Sequence, residues 1–381
     1  MNRISRRTVV AALAALPVMS ACATRGPAIR ERHFTPSGLP LRRVNVSPDR
    51  VIRTVVGLRP YRDAGFVLRA DKLDDKLLIH NYGHGGGGIT LSWGTAHLAM
   101  EMAQATDRCR CAVIGCGAIG LASARLMQQQ GWDVTIYARD LPPDTTSNIA
   151  GAQWSPASVF DPDAVSPAFY DLLGSALEHS YRHFQHLVGD RYGIRWVSNY
   201  MLNRRPFRSD DLFSRFAHLY PELRDLDADD HPFPAPYARH FDTMFIEPPV
   251  YLPAVMQDYQ AAGGRIVVRE FTRAADFALL DEPVIFNCTG LGSRELFGDE
   301  ELIPAKGQLS VLLPQVGINY LMIYSGIYMF PRKDGVLLGG TFERNDWTLT
   351  PNPDERTRIL REHQALFRGM DDPFERTAQP S

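Results

Sequence analysis

The 381-residue chain is poor in cysteine: it has five, Cys22, Cys109, Cys111, Cys116 and Cys288. Their spacing matches neither a zinc site nor a disulfide framework, and most fall in or beside apolar runs, where cysteine acts as a small buried hydrophobe. There is no excess of positive charge, 41 Lys and Arg standing against 43 Asp and Glu. Removing Arg3, Arg6 and Arg7 with a leader leaves 38 against 43, which excludes a nucleic-acid footprint. Internal repeats and low-complexity tracts are absent too. With 45% hydrophobic residues the chain is long enough for two domains with real cores, and a small molecule is the substrate class that remains.

Long apolar runs are also missing. The main one, Val9 to Leu16, follows Ser5-Arg6-Arg7 and precedes Met19-Ser-Ala-Cys22. It is too short to span a membrane and reads as an export signal. Paired arginines point to the twin-arginine route, which carries folded proteins, so the expected location is periplasmic or membrane-anchored on the periplasmic side of a bacterium. For Cys22 two readings stand: lipidation at a lipoprotein-like box, or a plain cleaved signal with an incidental cysteine.

What the chain does have is a glycine-rich turn. Cys111-Ala-Val-Ile-Gly-Cys-Gly-Ala-Ile-Gly120 is an apolar strand ending in Gly115, Gly117 and Gly120 at GxGxxG spacing. A helical pattern follows as far as Gly131, and a second strand lies at Asp133 to Tyr137. The chemistry needs Gly115 for the turn, Gly117 for backbone approach to a pyrophosphate, and Gly120 for close helix packing. The helix N-terminus, with Ala118 and Ile119, supplies N–H groups for the anion. After the second strand comes Ala138-Arg139-Asp140. An arginine there accepts the 2′-phosphate of NADP or lies over an adenine, so the cradle alone leaves NADP and FAD both open.

A second glycine run precedes the cradle. His80-Asn-Tyr-Gly-His-Gly-Gly-Gly-Gly-Ile-Thr90 lies between a strand and a helix-like stretch, where glycines let a backbone approach a ligand closely. No Cys, Asp or Glu lies at metal spacing from His80 or His84, so no metal site is expected. Val51 to Val56 is the first convincing strand and delivers Gly57-Leu-Arg59-Pro60.

Taken together, Gly57-Leu-Arg-Pro60, His80 to Thr90 with Trp93-Gly94, the cradle, and Ala138-Arg-Asp-Leu-Pro142 resemble the FAD-dependent D-amino-acid oxidase family, which includes D-aspartate oxidase. Thr145-Thr-Ser147, Ile149 to Trp154, Phe286-Asn-Cys-Thr-Gly290, Gly307-Gln308, Tyr328 with Pro331, and Gly339-Gly-Thr341 extend the resemblance over nearly the whole mature chain. It implies an α/β fold, a Rossmann-type FAD-binding domain interleaved with an α+β substrate domain on an antiparallel sheet. The order departs from the family's, whose chain opens on the cradle and closes on the two stretches that here come first. That is the order of a circular permutation.

The implied organisation is an export signal at 1–22, a linker at 23–50, a substrate-domain strand at 51–75 and the main FAD-binding part at 76–165. Substrate-domain pieces at 166–262 and 301–338 flank FAD-binding residues 263–300, and 339–381 returns to the FAD domain and ends in a helix. By resemblance Arg59 holds the substrate carboxylate with the Tyr328 hydroxyl, Tyr324 is a mobile tyrosine at the pocket, and the Gly86 carbonyl accepts from the amine. Tyr324 and Tyr328 are an even number apart and are expected on one strand face. Without the resemblance, Arg59 is a strand-end residue and the tyrosines are cross-strand aromatics.

For the cofactor, FAD, the resemblance assigns Gly85, Gly86, Gly87, Gly88, Ile89 and the Thr90 hydroxyl to the flavin, with Arg139 and Asp140 beyond the cradle. Thr145, Thr146 and Ser147 go to the phosphates or ribose, and Gly151, Ala152 and Gln153 pack along the ring. The implied reaction turns a D-amino acid, O2 and water into a 2-oxo acid, ammonia and hydrogen peroxide. Its alternatives are a dehydrogenase feeding a membrane carrier and a non-catalytic binding protein. An acidic substrate needs a further cation, for which Arg204, Arg205, Arg208 and Arg332 are candidates, and neutral D-amino acids stand ahead of D-aspartate.

Overall fold

The computed structural model describes residues 40–373; the leader, its twin arginines, Cys22 and the linker up to residue 39 lie outside them. In chain order the elements are β1 (Val51–Tyr61), β2 (Val67–Leu73), β3 (Lys76–Tyr82), α1 (Gly88–Gln104), β4 (Arg110–Ile114), α2 (Ala118–Gln129), β5 (Asp133–Ala138) and α3 (Pro167–His186). There follow β6 (Ile194–Asn203), α4 (Leu212–Arg215), β7 (Arg224–Leu226), β8 (Tyr237–Ile246), α5 (Pro248–Ala261), β9 (Arg265–Val268), α6 (Ala275–Ala278), β10 (Val284–Asn287) and α7 (Ser293–Phe297). The chain ends with β11 (Ile303–Leu312), β12 (Tyr320–Tyr324), β13 (Ile327–Arg332), β14 (Gly335–Gly339), β15 (Glu343–Arg344) and α8 (Pro353–Arg368).

Two sheets organise these elements. The smaller has the order β2-β3-β10-β4-β5-β9, parallel throughout except for the antiparallel edge strand β2. Its inner strands are continuous apolar runs, as a sheet covered on both faces demands. On one face α1 packs between α2 and α3, and α5 packs on α2. Ser166 caps α3, accepting from the Phe169 N–H, with Pro167 in the first turn, a standard helix start. Only residues 105–109 separate α1 from β4.

The larger sheet runs β1-β11-β14-β13-β12-β6-β8-β7, with β15 on β11. All its pairings are antiparallel except β12 with β6. Alternation of side chains gives it two apolar faces. Tyr320, Met322, Met329 and Leu338 pack with Leu41, Val44, Ile359 and Phe367 on one; Leu309, Ile323, Tyr328 and Phe330 lie on the other. Helix α8 starts at Asn352, whose side chain accepts from the Asp354 and Glu355 N–H groups, with Pro353 at its first position.

Several expected boundaries move. β2, placed with the substrate segment at 51–75, pairs with β3 in the smaller sheet. Helices α3 and α5, placed in the substrate piece 166–262, pack on α1 and α2 instead, and α8 packs on the larger sheet rather than returning to the smaller one. Helices inserted between strands of one sheet cover whichever apolar face is free, and sequence order does not say which.

Candidate active site

Both glycine-rich stretches open into one cleft of about 1130 Å³ between the sheets, lined also by β1, β11 and β13. That volume exceeds the roughly 300–1,000 Å³ of a typical small-ligand pocket. At the cradle, Gly115 has φ +114°, and a Cβ there would come within 2.4 Å of the Cys288 carbonyl. A Cβ on Gly120 would meet the Gly115 carbonyl at 2.0 Å, so this glycine serves packing and does not line the cleft. Gly117 is the N-terminal cap of α2 with no side-chain cap bond, while Ala118 donates to the Ser147 Oγ at 3.1 Å. Cys116, between the first two glycines, is buried and its thiol is pushed up to about 12, which keeps it unreactive.

Of the other expected cofactor residues, Gly85, Gly86, Gly88, Ile89, Gly117, Ala118, Ile119, Arg139, Asp140, Thr145, Thr146, Ser147, Gly151, Ala152 and Gln153 line the cleft. Two do not. The Thr90 hydroxyl is engaged inside the protein, donating to the Ser155 carbonyl at 2.9 Å and accepting from the Ser155 N–H at 3.0 Å. Gly87 faces inward, where a Cβ would meet Val159 at 2.5 Å; its small size is a packing requirement. Arg139 pairs with Asp140 at 2.9 Å and Glu270 at 3.3 Å. Acidic groups around that guanidinium suit ribose hydroxyls better than the 2′-phosphate of NADP.

At the other end, Arg59 is half-buried on β1, and among the described residues no carboxylate pairs with it. Its Nη1 donates to the Thr341 carbonyl at 3.3 Å and the Ala305 carbonyl at 3.5 Å, and the guanidinium lies 5.9 Å from the Phe342 ring centre. Tyr328 on β13 stacks on Phe330 at 4.8 Å. Its ring covers Gly339 opposite, where a Cβ would come within 2.1 Å of Cζ. Two glycines thus seat these side chains: Gly307 on β11 lies under the Arg59 guanidinium and Gly339 on β14 under the Tyr328 ring.

Tyr324 is not in the cleft, which corrects the expectation that it shares a face with Tyr328. It closes β12, and Ser325 and Gly326, both with positive φ, turn the chain into β13. Tyr328 therefore pairs with Ile323, and Tyr324 packs on the opposite face and takes a hydrogen bond from Arg204 Nε at 3.2 Å. Even spacing implies a shared face only within one strand. None of Arg204, Arg205, Arg208 or Arg332 lines the cleft, and Arg208 and Arg332 pair with Asp210 and Asp334.

The sequence pattern does not single out five contributors. Asn81 is fully buried on the cleft wall with neither Nδ2 nor Oδ1 hydrogen-bonded, a costly state unless a ligand supplies partners. In the sequence Asn81 is one residue of a glycine-rich run, with nothing local to set it apart. Glu270 and the mouth residues Phe342, Trp347 and Leu349 reach the cleft from distant segments, and nothing local marks them. Among the described residues no three metal-ligating side chains gather. His80 lies between Asp71 and Asn287. His84 contacts Thr95 and stacks on Phe66, burial holding its pKa down at about 3.

The residues fit a dinucleotide: an uncapped helix N-terminus behind a glycine turn, an orphaned amide on the wall, and a cleft of sufficient volume. The comparisons agree. The chain is 31% identical over 262 residues to a D-amino-acid oxidase of Streptomyces coelicolor, covering 67% of this chain and 76% of that one. It is 30% identical to a D-amino-acid oxidase of Dictyostelium discoideum (65% and 70% covered) and 29% identical to a human D-aspartate oxidase (67% and 74%). Among solved structures, glycine oxidase of Geobacillus kaustophilus shares the fold with a TM-score of 0.51 at 15% identity, covering 68% and 78%. Residues 31–102 and 110–379 match the DAO family, described as FAD dependent oxidoreductase, and this chain is a member of that family, with FAD as its cofactor.

Proposed function

We propose that the protein oxidises neutral D-amino acids with O2 and water to 2-oxo acids, ammonia and hydrogen peroxide. The observation that carries this reading is Arg59: a guanidinium in the FAD cleft whose protein partners are two long carbonyl contacts. A planar, permanently charged donor in that state is matched by a carboxylate bound through two parallel hydrogen bonds. The names of the relatives support a D-amino acid as the owner of that carboxylate.

Bound FAD supplies the hydride-accepting chemistry. The chain's part is positioning. Arg59 and the Tyr328 hydroxyl hold the carboxylate, and the Gly86 carbonyl accepts from the amine. No side-chain base is needed when the amine is neutral. The remaining cleft arginines, Arg139 and Arg269, line it at the ends of β5 and β9, on the cradle side. Among the described residues no second cation lines the cleft beside Arg59, which favours neutral substrates over D-aspartate.

Anaerobic mixing with a panel of D- and L-amino acids, followed by flavin absorbance, tests the proposal. Bleaching by neutral D-forms alone is expected; no bleaching with FAD bound overturns it.

Two further readings belong with it. We infer that the chain is a circular permutation of the family's order, a reading supported by the match in two stretches, 31–102 and 110–379, that break across the end of α1 and its short connection to β4. Export through the leader, with or without lipidation of Cys22, is tested by fractionating cells that express the full chain.

A further inference from the structure

Helix α8 lies on the face of the larger sheet opposite the cleft, and most of what it buries is apolar: Ile359, Leu360, Leu366 and Phe367. Three polar contacts cross that boundary. The main chain of its cap, Asn352, is held in both directions by Gln308, whose Oε1 accepts from the Asn352 N–H at 2.6 Å and whose Nε2 donates to its carbonyl at 3.0 Å. Arg358 Nη2 donates to the Gly340 carbonyl at 2.8 Å while Glu355 and Glu362 hold the same guanidinium. His363 places Nε2 3.1 Å from the Tyr328 carbonyl. Gln308 follows Gly307, Gly340 follows Gly339, and Tyr328 is itself a cleft residue. One helix thus bonds, from behind, to β11, to the residue after β14 and to β13, which carry the two glycine seats and the tyrosine.

His363 is the least expected of these groups. It is fully buried, and its Nδ1 also lies 2.8 Å from a carbonyl, that of Ile359 one turn back. A neutral imidazole carries one N–H, so its tautomer decides which carbonyl is held and which faces a bare nitrogen. Burying a polar ring costs stability that a leucine would not. Among the described residues, its one hydrogen-bond partner outside α8 is the main chain of Tyr328.

We propose that His363 is a positioning residue for the substrate carboxylate: by donating from Nε2 to the Tyr328 carbonyl it sets where the Tyr328 ring stands over Gly339, and so the spacing between that hydroxyl and Arg59. The proposal rests on the reading that Arg59 and Tyr328 hold the carboxylate.

The test uses the full, FAD-loaded protein with benzoate as the carboxylate probe, titrated by flavin absorbance, together with steady-state kinetics on the best D-amino acid. H363L is expected to raise the benzoate Kd and the KM about tenfold, the scale of one lost hydrogen bond, with kcat within about threefold and FAD occupancy unchanged. H363Q keeps a donor at the Nε2 position and restores most of the affinity; H363N keeps one only at the Nδ1 position and does not. Equal behaviour of the Gln and Asn variants, or an unchanged benzoate Kd in H363L, overturns the proposal. Should H363L fail to fold, R358M provides the second variant, with an expected threefold rise in benzoate Kd; no rise there and no difference between Gln and Asn overturn the proposal as well. Loss of benzoate binding in R59A alongside unaffected His363 variants refutes this inference alone, whereas undiminished binding in R59A refutes the carboxylate reading beneath it.

Discussion

The guanidinium of Arg59 lies flat across Gly307: a Cβ built on that glycine would fall 2.5 Å from both Nη1 and Nη2. Arg59 and Gly307 sit on neighbouring strands, with Gly57 directly opposite Gly307 and Arg59 opposite Ala305, so the side chain leans diagonally over the one position without a side chain. G307A is expected to lift the guanidinium from its seat. The predicted result is a KM raised roughly 10- to 100-fold, the range of a charged hydrogen-bonded contact, with FAD occupancy retained. Retained substrate affinity would show that the seat is dispensable.

R59K tests the need for a planar fork. Lysine keeps the charge but not the paired donors, so its kcat/KM is expected to fall at least tenfold. Equal activity in steady-state assays would mean that charge alone suffices.

G115A should abolish cofactor loading. Both the positive φ and the 2.4 Å approach to the Cys288 carbonyl reject a side chain, and the purified variant is expected to be colourless; a yellow G115A protein contradicts this.

Asn81 makes a two-sided prediction. Its amide has no hydrogen-bond partner among the described residues, so N81L should leave the apoprotein as stable or more stable in thermal unfolding. FAD affinity should drop by about 1–3 kcal/mol, the cost of a missing buried hydrogen bond. A destabilised apoprotein with normal FAD affinity would reverse the assignment.

Stability should decline on the acid side for an identifiable reason. Burial, reinforced by the charges of His186, Arg125 and His97, holds His183 down at about 4 while it stacks on Trp93 at 3.7 Å; burial alone holds His84 at about 3. The unfolded chain binds these protons near pH 6.5 and the folded chain does not, so stability is full above 6.5 and is lost progressively as pH falls towards 4. H183F should flatten the melting-temperature profile in that window, and an unchanged slope would assign the loss elsewhere.

The cradle was legible because all its parts are consecutive: strand, turn and helix are dictated by glycines whose neighbours in space are also neighbours in sequence. The same locality made Gly85, Gly86 and Gly88 readable as backbone facing a ligand. Tyr324 was misplaced because a two-residue turn at Ser325 and Gly326 broke the strand on which the parity argument depended. Thr90 and Gly87 sit in the right stretch but spend their contacts on Ser155 and Val159, partners more than sixty residues away.

The sequence by itself therefore determined the nucleotide-binding unit and a second glycine run able to approach a ligand, since both follow from local backbone geometry, while the roles of Arg59 and Tyr328 rested on the family resemblance. Only the tertiary structure decided that Gly307 seats Arg59 and Gly339 seats Tyr328, that α8 holds β13 from behind through His363, and that Asn81 has no hydrogen-bond partner among the described residues. Each is a relation between strands and helices paired across tens to hundreds of residues, where the packing of whole faces, and not any local pattern, sets which side chains meet.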